Sequence, residues 1–272
     1  MQIFVLTFIG IWSSLVSAAP QRVLSASLAS DEIIWDLLDP GQRSRVVGVS
    51  RFAVDETYSH IVKTELKDVA LFDGSVEALI KLKPDFVILA SFNRPALREY
   101  VKRKKINHIV LSRFQTISDI SDNVAKVAKA LGEVKKLGRL KKGLRGLRVK
   151  VAEARPSLLS LAPGFSTMGK ESLFNDLVIR AGGLNKAAAY GVKNWGKLSL
   201  DRIFTDPPDL IVITEDAPWL QNSVLNKLTS PELKRRLCYV ESRALLSTSH
   251  HIANAYRQLL SCIKGWRYRR QG

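Results

Sequence analysis

The sequence predicts an α/β protein of two lobes, each built on a mainly parallel sheet, joined by one long helix. Three observations carry that prediction. Short apolar, β-branched runs alternate with capped amphipathic stretches in both halves of the chain. Between the halves, apolar residues recur at three- and four-residue steps from Ile120 to Val151 with no proline among them. A Ser–acid–Pro–Asp element with one fixed spacing occurs once on each side of that stripe.

The first twenty residues differ in kind from the rest. Ile3 to Val16 is nearly all apolar and uncharged, and it ends in Val16-Ser17-Ala18-Ala19-Pro20. Small residues closing a short apolar run read as a secretory leader, residues 1–19, cleaved after Ala18 or Ala19. The run is short for a bilayer span, and no cysteine stands at the cleavage point to take a lipid. A soluble, exported, periplasmic protein is therefore expected.

The first lobe is expected over residues 20–116. Arg22 to Ser25 reads as a strand, and Ser30-Asp31-Glu32 as the cap of a helix running to Leu38. Val46 to Val49, Phe86 to Ala90 and His108 to Leu111 are further strands, the last two separated by a charged helical stretch from Pro95 to Lys105. The stripe over 117–153 predicts an interlobe helix of roughly 50 Å at about 1.5 Å per residue. Gly132, Gly138, Gly143 and Gly146 interrupt it, and two helices with a turn are the alternative. The second lobe is expected over 154–265: a strand from Leu158 to Leu161, a helix from Glu171 to Ala181 stopped by Gly182-Gly183, and a strand from Leu210 to Thr214. Residues 266–272 read as a basic tail.

In the repeated element, Ser75 is followed by Glu77 and then, seven residues on, by Pro84-Asp85. Ser199 is followed by Asp201 and, seven residues on, by Pro208-Asp209. This describes an N-capped short helix, a Pro-Asp stop and an apolar parallel strand, twice.

The net charge of +17 on 272 residues raises a nucleic-acid reading. The basic clusters (Lys102 to Lys105, Lys135 to Lys150, Lys234 to Arg236, Arg267 to Arg270) are scattered, with no nucleic-acid module among them. No nucleic-acid partner is expected. The two cysteines, Cys238 and Cys262, permit one bridge in an oxidising compartment, and two buried thiols are the alternative. No G-x-G-x-x-G, nucleophile elbow or P-loop is present, which argues against an enzyme. His250-His251 is an adjacent pair expected to point apart, so no bare metal site is expected.

The order of motifs resembles the periplasmic binding proteins for cobalamin, ferric siderophores and haem, the class with a helical backbone between lobes. Arg22-Val23-Leu24-Ser25 with Glu32, and Val46-Val47-Gly48-Val49, are similar to the opening of that family. So is Leu82-Lys83-Pro84-Asp85. Gly169-Lys170-Glu171-Ser172, Ala181-Gly182-Gly183-Leu184-Asn185 and the run from Trp195 to Asp209 are most similar to its cobalamin branch. The resemblance implies two Rossmann-like lobes and a monomer without catalytic cofactor. It also implies a bulky ligand held between the lobes (cobalamin first, then ferric siderophore or haem), and delivery to an ABC permease with its ATPase.

Large flat ligands call for flat apolar walls. Phe52, Phe72, Phe92, Trp195 and Trp219 all fall on predicted loops and are the candidate ligand contacts. The resemblance carries over to Phe52, Phe72 and Trp195 as pocket aromatics. It also assigns Glu77 and Asp201, one acid per lobe, to docking on arginines of the permease. Tyr58 and His60 are weighed as haem-iron ligands, with a surface role as the alternative.

Overall fold

A computed structural model describes residues 19–147, 154–214 and 231–271. Residues 1–18 of the expected leader, the last part of the expected interlobe helix and Trp219 lie outside the described residues.

The chain opens with β1 (Val23–Ser25), α1 (Leu28–Leu37), β2 (Val46–Ser50), β3 (Ala70–Phe72), α2 (Val76–Leu82), β4 (Phe86–Ala90), α3 (Pro95–Arg103) and β5 (Asn107–Leu111). The five strands form one sheet in the order β3-β2-β1-β4-β5, and every pairing is parallel. Next come α4 (Ile117–Leu131), α5 (Leu137–Arg145), β6 (Ser157–Ser160), β7 (Ser166–Met168), α6 (Leu173–Arg180), β8 (Leu184–Asn185), α7 (Lys186–Ala189) and β9 (Trp195–Lys197). The chain finishes with α8 (Leu200–Thr205), β10 (Leu210–Thr214), α9 (Pro231–Lys234), β11 (Leu237–Val240), α10 (Ser242–Leu245) and α11 (Ala253–Gln271). A second parallel sheet has the order β11-β10-β6-β8, and β7 and β9 form an antiparallel pair. The α/β class with mainly parallel sheets is as the alternation predicts.

The repeated element does the same work in both sheets. Asp85 accepts hydrogen bonds from the backbone N–H groups of Gln21 (2.9 Å) and Arg22 (3.0 Å), at the entry to β1. Asp209 accepts from the Ser157 N–H and hydroxyl, both at 2.8 Å, at the entry to β6. Each aspartate thus satisfies the first donors of the neighbouring parallel strand, which have no ladder partner there. Ser75 caps α2 by accepting from the Ala78 N–H at 3.1 Å, whereas Ser199 sits at the N-cap of α8 without that bond.

Two glycines permit close backbone approaches. A Cβ on Gly169 would lie 2.1 Å from the Val192 carbonyl oxygen, and one on Gly183 would lie 2.6 Å from Leu158 Cδ1. Gly183 thereby lets the turn after α6 press onto β6.

The expected single rod is divided. Gly132 closes α4 at φ 78°, a left-handed cap that suits glycine, and a 3-10 turn over Val134–Lys136 leads into α5. Val124, Val127 and Leu131 of α4 pack in the first-lobe core with Leu140 of α5, while Ile117 and Ile120 pack in the second with Leu144 and Leu147. The apolar stripe is therefore a helical hairpin in which both helices straddle both cores, and its period alone does not reveal the reversal.

Three other boundaries differ from expectation. α1 starts at Leu28 with Ser27 as N-cap, because Asp31 and Glu32 are buried inside the helix rather than exposed at its cap. α6 starts at Leu173, capped by Ser172. The expected basic tail is the end of α11, where buried Trp266 takes the Arg270 guanidinium over its ring at 4.9 Å. Cys238 on β11 and Cys262 on α11 are bridged, with Cα atoms 5.8 Å apart. Among the described residues no helix is long and apolar enough to cross a membrane.

Candidate ligand-binding cleft

Both parallel sheets present their carboxyl ends to one gap. Ala26 and Ser27 follow β1, Arg51 and Phe52 follow β2, Asp73 and Gly74 follow β3, and Phe92 to Arg94 follow β4. These line a cavity of about 420 Å³. Opposite, Leu161 to Pro163 follow β6, Met168 ends β7, Thr214 ends β10 and Ser242 follows β11, around a cavity of about 380 Å³. A third, of about 500 Å³, lies between Phe92, Phe114, Leu173 and Trp195. Leu246 borders all three, so they are compartments of one cleft. Crevices beyond the carboxyl ends of parallel strands are where open α/β sheets bind ligands.

The walls are apolar and flat. Phe52 is 47 % exposed, Phe92 64 % and Trp195 62 %, so each leaves about half or more of its apolar surface to solvent unless something covers it. Phe92 meets Phe114 at a ring-centroid distance of 5.4 Å. Asn93 fixes that turn: its side-chain oxygen accepts from the Ala90 N–H at 2.6 Å and its amide donates to the Ala26 carbonyl at 2.8 Å. The Arg51 guanidinium lies 5.3 Å from the Phe52 ring centre. Arg51 and Arg94 put positive charge on the walls, while Arg113 is paired with Asp119 and Asp122.

Four of the five expected aromatics can be placed. Phe52, Phe92 and Trp195 are exposed on the cleft. Phe72 reaches the same wall but is only 2 % exposed and belongs to the first-lobe core. Phe72 and Trp195 are not loop residues: Phe72 ends β3 and Trp195 begins β9. Both strands have three residues, too short to show an alternation in the sequence. Trp219 lies outside the described residues. Tyr58, weighed as a haem-iron ligand, lines the cleft, and Phe114, Met168 and Leu246, which also line it, were missed. Phe114 follows β5 and Leu246 follows α10, in segments with no periodic pattern, and Met168 ends a three-residue strand too short to show one.

Glu77 and Asp201 are exposed, in the first turns of α2 and α8, and neither forms an ion pair among the described residues. They stand in equivalent elements of the two lobes.

Behind the cleft, α1 joins the lobes through its acids. Asp31 accepts from the Ser50 N–H at 3.1 Å and from its hydroxyl, and burial pushes its carboxyl up to about 8 against those bonds. Glu32 accepts from Ser249 and Ser247 of the second lobe and from the His60 N–H at 2.9 Å. Burial raises its pKa too, and these bonds oppose the rise. Tyr58 and His60 part company: Tyr58 faces the cleft, while His60 stacks on His251 at 4.2 Å and contacts the Arg243 carbonyl. Burial, then the neighbouring His251, lowers the His60 pKa to about 4. His250 and His251 do not point apart: both Nε2 atoms meet Asp36 Oδ2, at 2.8 and 3.0 Å.

The periplasmic binding protein profile matches residues 23–236. No curated sequence is significantly similar to the chain. Among solved structures, a possible iron-binding (periplasmic solute-binding) protein from Staphylococcus epidermidis ATCC 12228 superposes with a TM-score of 0.72 at 20 % identity, over 90 % of this chain and 99 % of its own. The periplasmic haem-binding protein RhuT from Roseiflexus sp. RS-1, in apo form, gives 0.72 at 19 % identity, over 90 % and 99 %. The periplasmic vitamin B12 binding protein BtuF of Vibrio cholerae gives 0.70 at 17 % identity, over 92 % and 98 %. At such identities the likeness speaks to the fold. With two parallel sheets facing one apolar cleft and a profile match from the first strand to the segment before β11, the chain belongs to the periplasmic binding protein family.

Proposed function

We propose that this protein captures one bulky, largely flat ligand outside the cytoplasm and hands it to an ABC permease with its ATPase, without turning it over. The observation that carries the reading is the cleft, where Phe52, Phe92, Trp195 and Leu246 stand exposed between the ends of two sheets. Aromatic walls of that kind bury much area on a rigid ligand at small entropic cost. The family match and structural neighbours described as iron-, haem- and vitamin B12-binding proteins support ligands of this class.

A corrinoid is the preferred ligand, because the motifs at Gly169 to Ser172, Ala181 to Asn185 and Trp195 to Asp209 are most similar to the cobalamin branch. Haem or a ferric siderophore is the second reading. It is favoured by Tyr58, a phenol on the cleft wall able to ligate ferric iron, and by Arg51 and Arg94 for anionic groups. Trp195 reports on either through its fluorescence. Titration of the mature protein with cobalamin, haem and a ferric siderophore is expected to give saturable quenching by one of them, cobalamin first, without chemical change in the ligand. Flat titrations with all three classes contradict the reading.

Delivery rests on Glu77 and Asp201, exposed acids at matching positions of the two lobes. Each is also favoured there by its helix dipole, so the decisive result is functional. The double variant Glu77→Ala/Asp201→Ala is expected to bind ligand normally and to lose uptake through the paired importer. Normal uptake by that variant removes the docking role.

A further inference from the structure

We infer that Asp36, His250 and His251 form a site for one borderline divalent transition-metal ion, Zn²⁺ first, which ties the two lobes together behind the cleft. The inference is independent of what the cleft binds.

The three groups are brought together by tertiary structure. Asp36 lies in the last turn of α1, whose opposite end lines the cleft at Leu28 and Ala29. The two histidines belong to a 3-10 turn, His250–Ile252, that leads into α11 in the second lobe. Ser249 holds the turn by accepting from the His251 N–H at 3.2 Å, and its own hydroxyl is held by Glu32. His60 stacks on His251 and fixes its ring plane. The rings are thus positioned from both sides.

The donor atoms converge. Asp36 Oδ2 is 2.8 Å from His250 Nε2 and 3.0 Å from His251 Nε2, and all three donors lie within 4.8 Å of one another. A tetrahedral zinc ion with bonds of about 2.0–2.1 Å spaces its ligands roughly 3.3 Å apart, so a small opening of the cluster admits the ion. Two imidazoles and one carboxylate are a donor set for zinc, nickel or cobalt rather than for calcium or magnesium. The cluster faces a cavity of about 510 Å³, which leaves room for a water as the remaining ligand. Arg43, Arg139 and Arg257 share the cavity wall. Each has another partner: Glu65, the Asp36 carbonyl and Asn254 respectively.

The test uses mature protein made without a histidine tag and stripped with a chelator. Zn²⁺ is titrated in competition with a chromophoric chelator, and Co²⁺ serves as a spectroscopic probe of the ligand set. One equivalent is expected to bind, with imidazole–carboxylate absorption from Co²⁺ and a rise in Tm on adding Zn²⁺. Losing an outer-shell partner costs a metal site about 10–100-fold, so Asp36→Asn and His251→Gln, which remove ligands, are expected to weaken binding at least that much. His108→Gln, on β5 and away from the cluster, serves as the control and is expected to bind as the parent does. Circular dichroism establishes that each variant is folded, and His250→Gln replaces any that is not. Absence of saturable binding by the parent protein overturns the inference, as does one-equivalent binding unchanged in the folded ligand variants.

Discussion

The bridge between β11 and α11 offers a stability prediction that can be worked from the structure. Cys238 and Cys262 are 24 residues apart and close a loop of that order. In the chain-entropy account, a crosslink closing about 25 residues removes roughly 3.5 kcal/mol of disorder from the unfolded state at 25 °C. The folded state has little to lose on reduction, because α11 is also held by apolar packing. Tyr256, Leu259, Ile263 and Trp266 are buried in the same core as Cys238. Urea unfolding of oxidised protein, reduced protein and Cys238→Ala/Cys262→Ala is the assay, with free thiols counted in each sample. The reduced protein is expected to remain folded and to lose about 3 kcal/mol, and the alanine variant to lose somewhat more because it also trims buried atoms. Superimposable curves for samples shown to be fully oxidised and fully reduced refute the reasoning.

Three further outcomes are expected from buried groups and close contacts in the two lobes. Asp31 holds a proton up to about pH 8 in the folded protein but releases it near pH 4 when unfolded. Stability should therefore fall as pH rises through that window, by up to about 1.4 kcal/mol per pH unit, and Asp31→Asn should flatten the profile. Equal pH slopes for parent and variant in denaturant titrations count against it. Asp209→Ala strips the Ser157 N–H and hydroxyl of their acceptor and is expected to cost about 1–3 kcal/mol in chemical denaturation, as is Asp85→Ala at the entry to β1. Gly169→Ala places a methyl group 2.1 Å from the Val192 carbonyl and is expected to lower Tm and cost at least about 1–3 kcal/mol; an unchanged melting curve means the two segments do not meet.

Much of the fold was legible because parallel strands buried on both faces announce themselves as short apolar runs. Phe86 to Ala90 and Leu210 to Thr214 are of that kind, and the Pro-Asp element before each marks its entry. The glycines allowed two helices with a turn only as an alternative to one rod, because Gly132 ends α4 without breaking the apolar period, and Leu140 serves the first core as naturally as Leu131 does. The cap of α1 was misplaced for a related reason. An acid near a helix start reads as a dipole partner, whereas Asp31 and Glu32 are buried tertiary links to Ser50 and Ser249.

The cleft was legible only in part. Aromatics just beyond strand ends, Phe52 and Phe92, could be found by position alone. Tyr58, Phe114 and Leu246 lie in connections whose path is set by packing. The convergence of Asp36 with His250 and His251 joins residues more than two hundred positions apart, and nothing local encodes it.

The central claim is that ligand sits between the carboxyl ends of the two sheets. Hydrogen exchange of the protein, alone and saturated with whichever of cobalamin, haem or ferric siderophore quenches its fluorescence, tests that claim most directly. Protection is expected in the segments around Phe52 to Tyr58, Phe92 to Arg94, Arg113 to Gln115, Trp195 and Leu245 to Thr248, from both lobes at once. Protection confined to one lobe, or centred away from these segments, contradicts it.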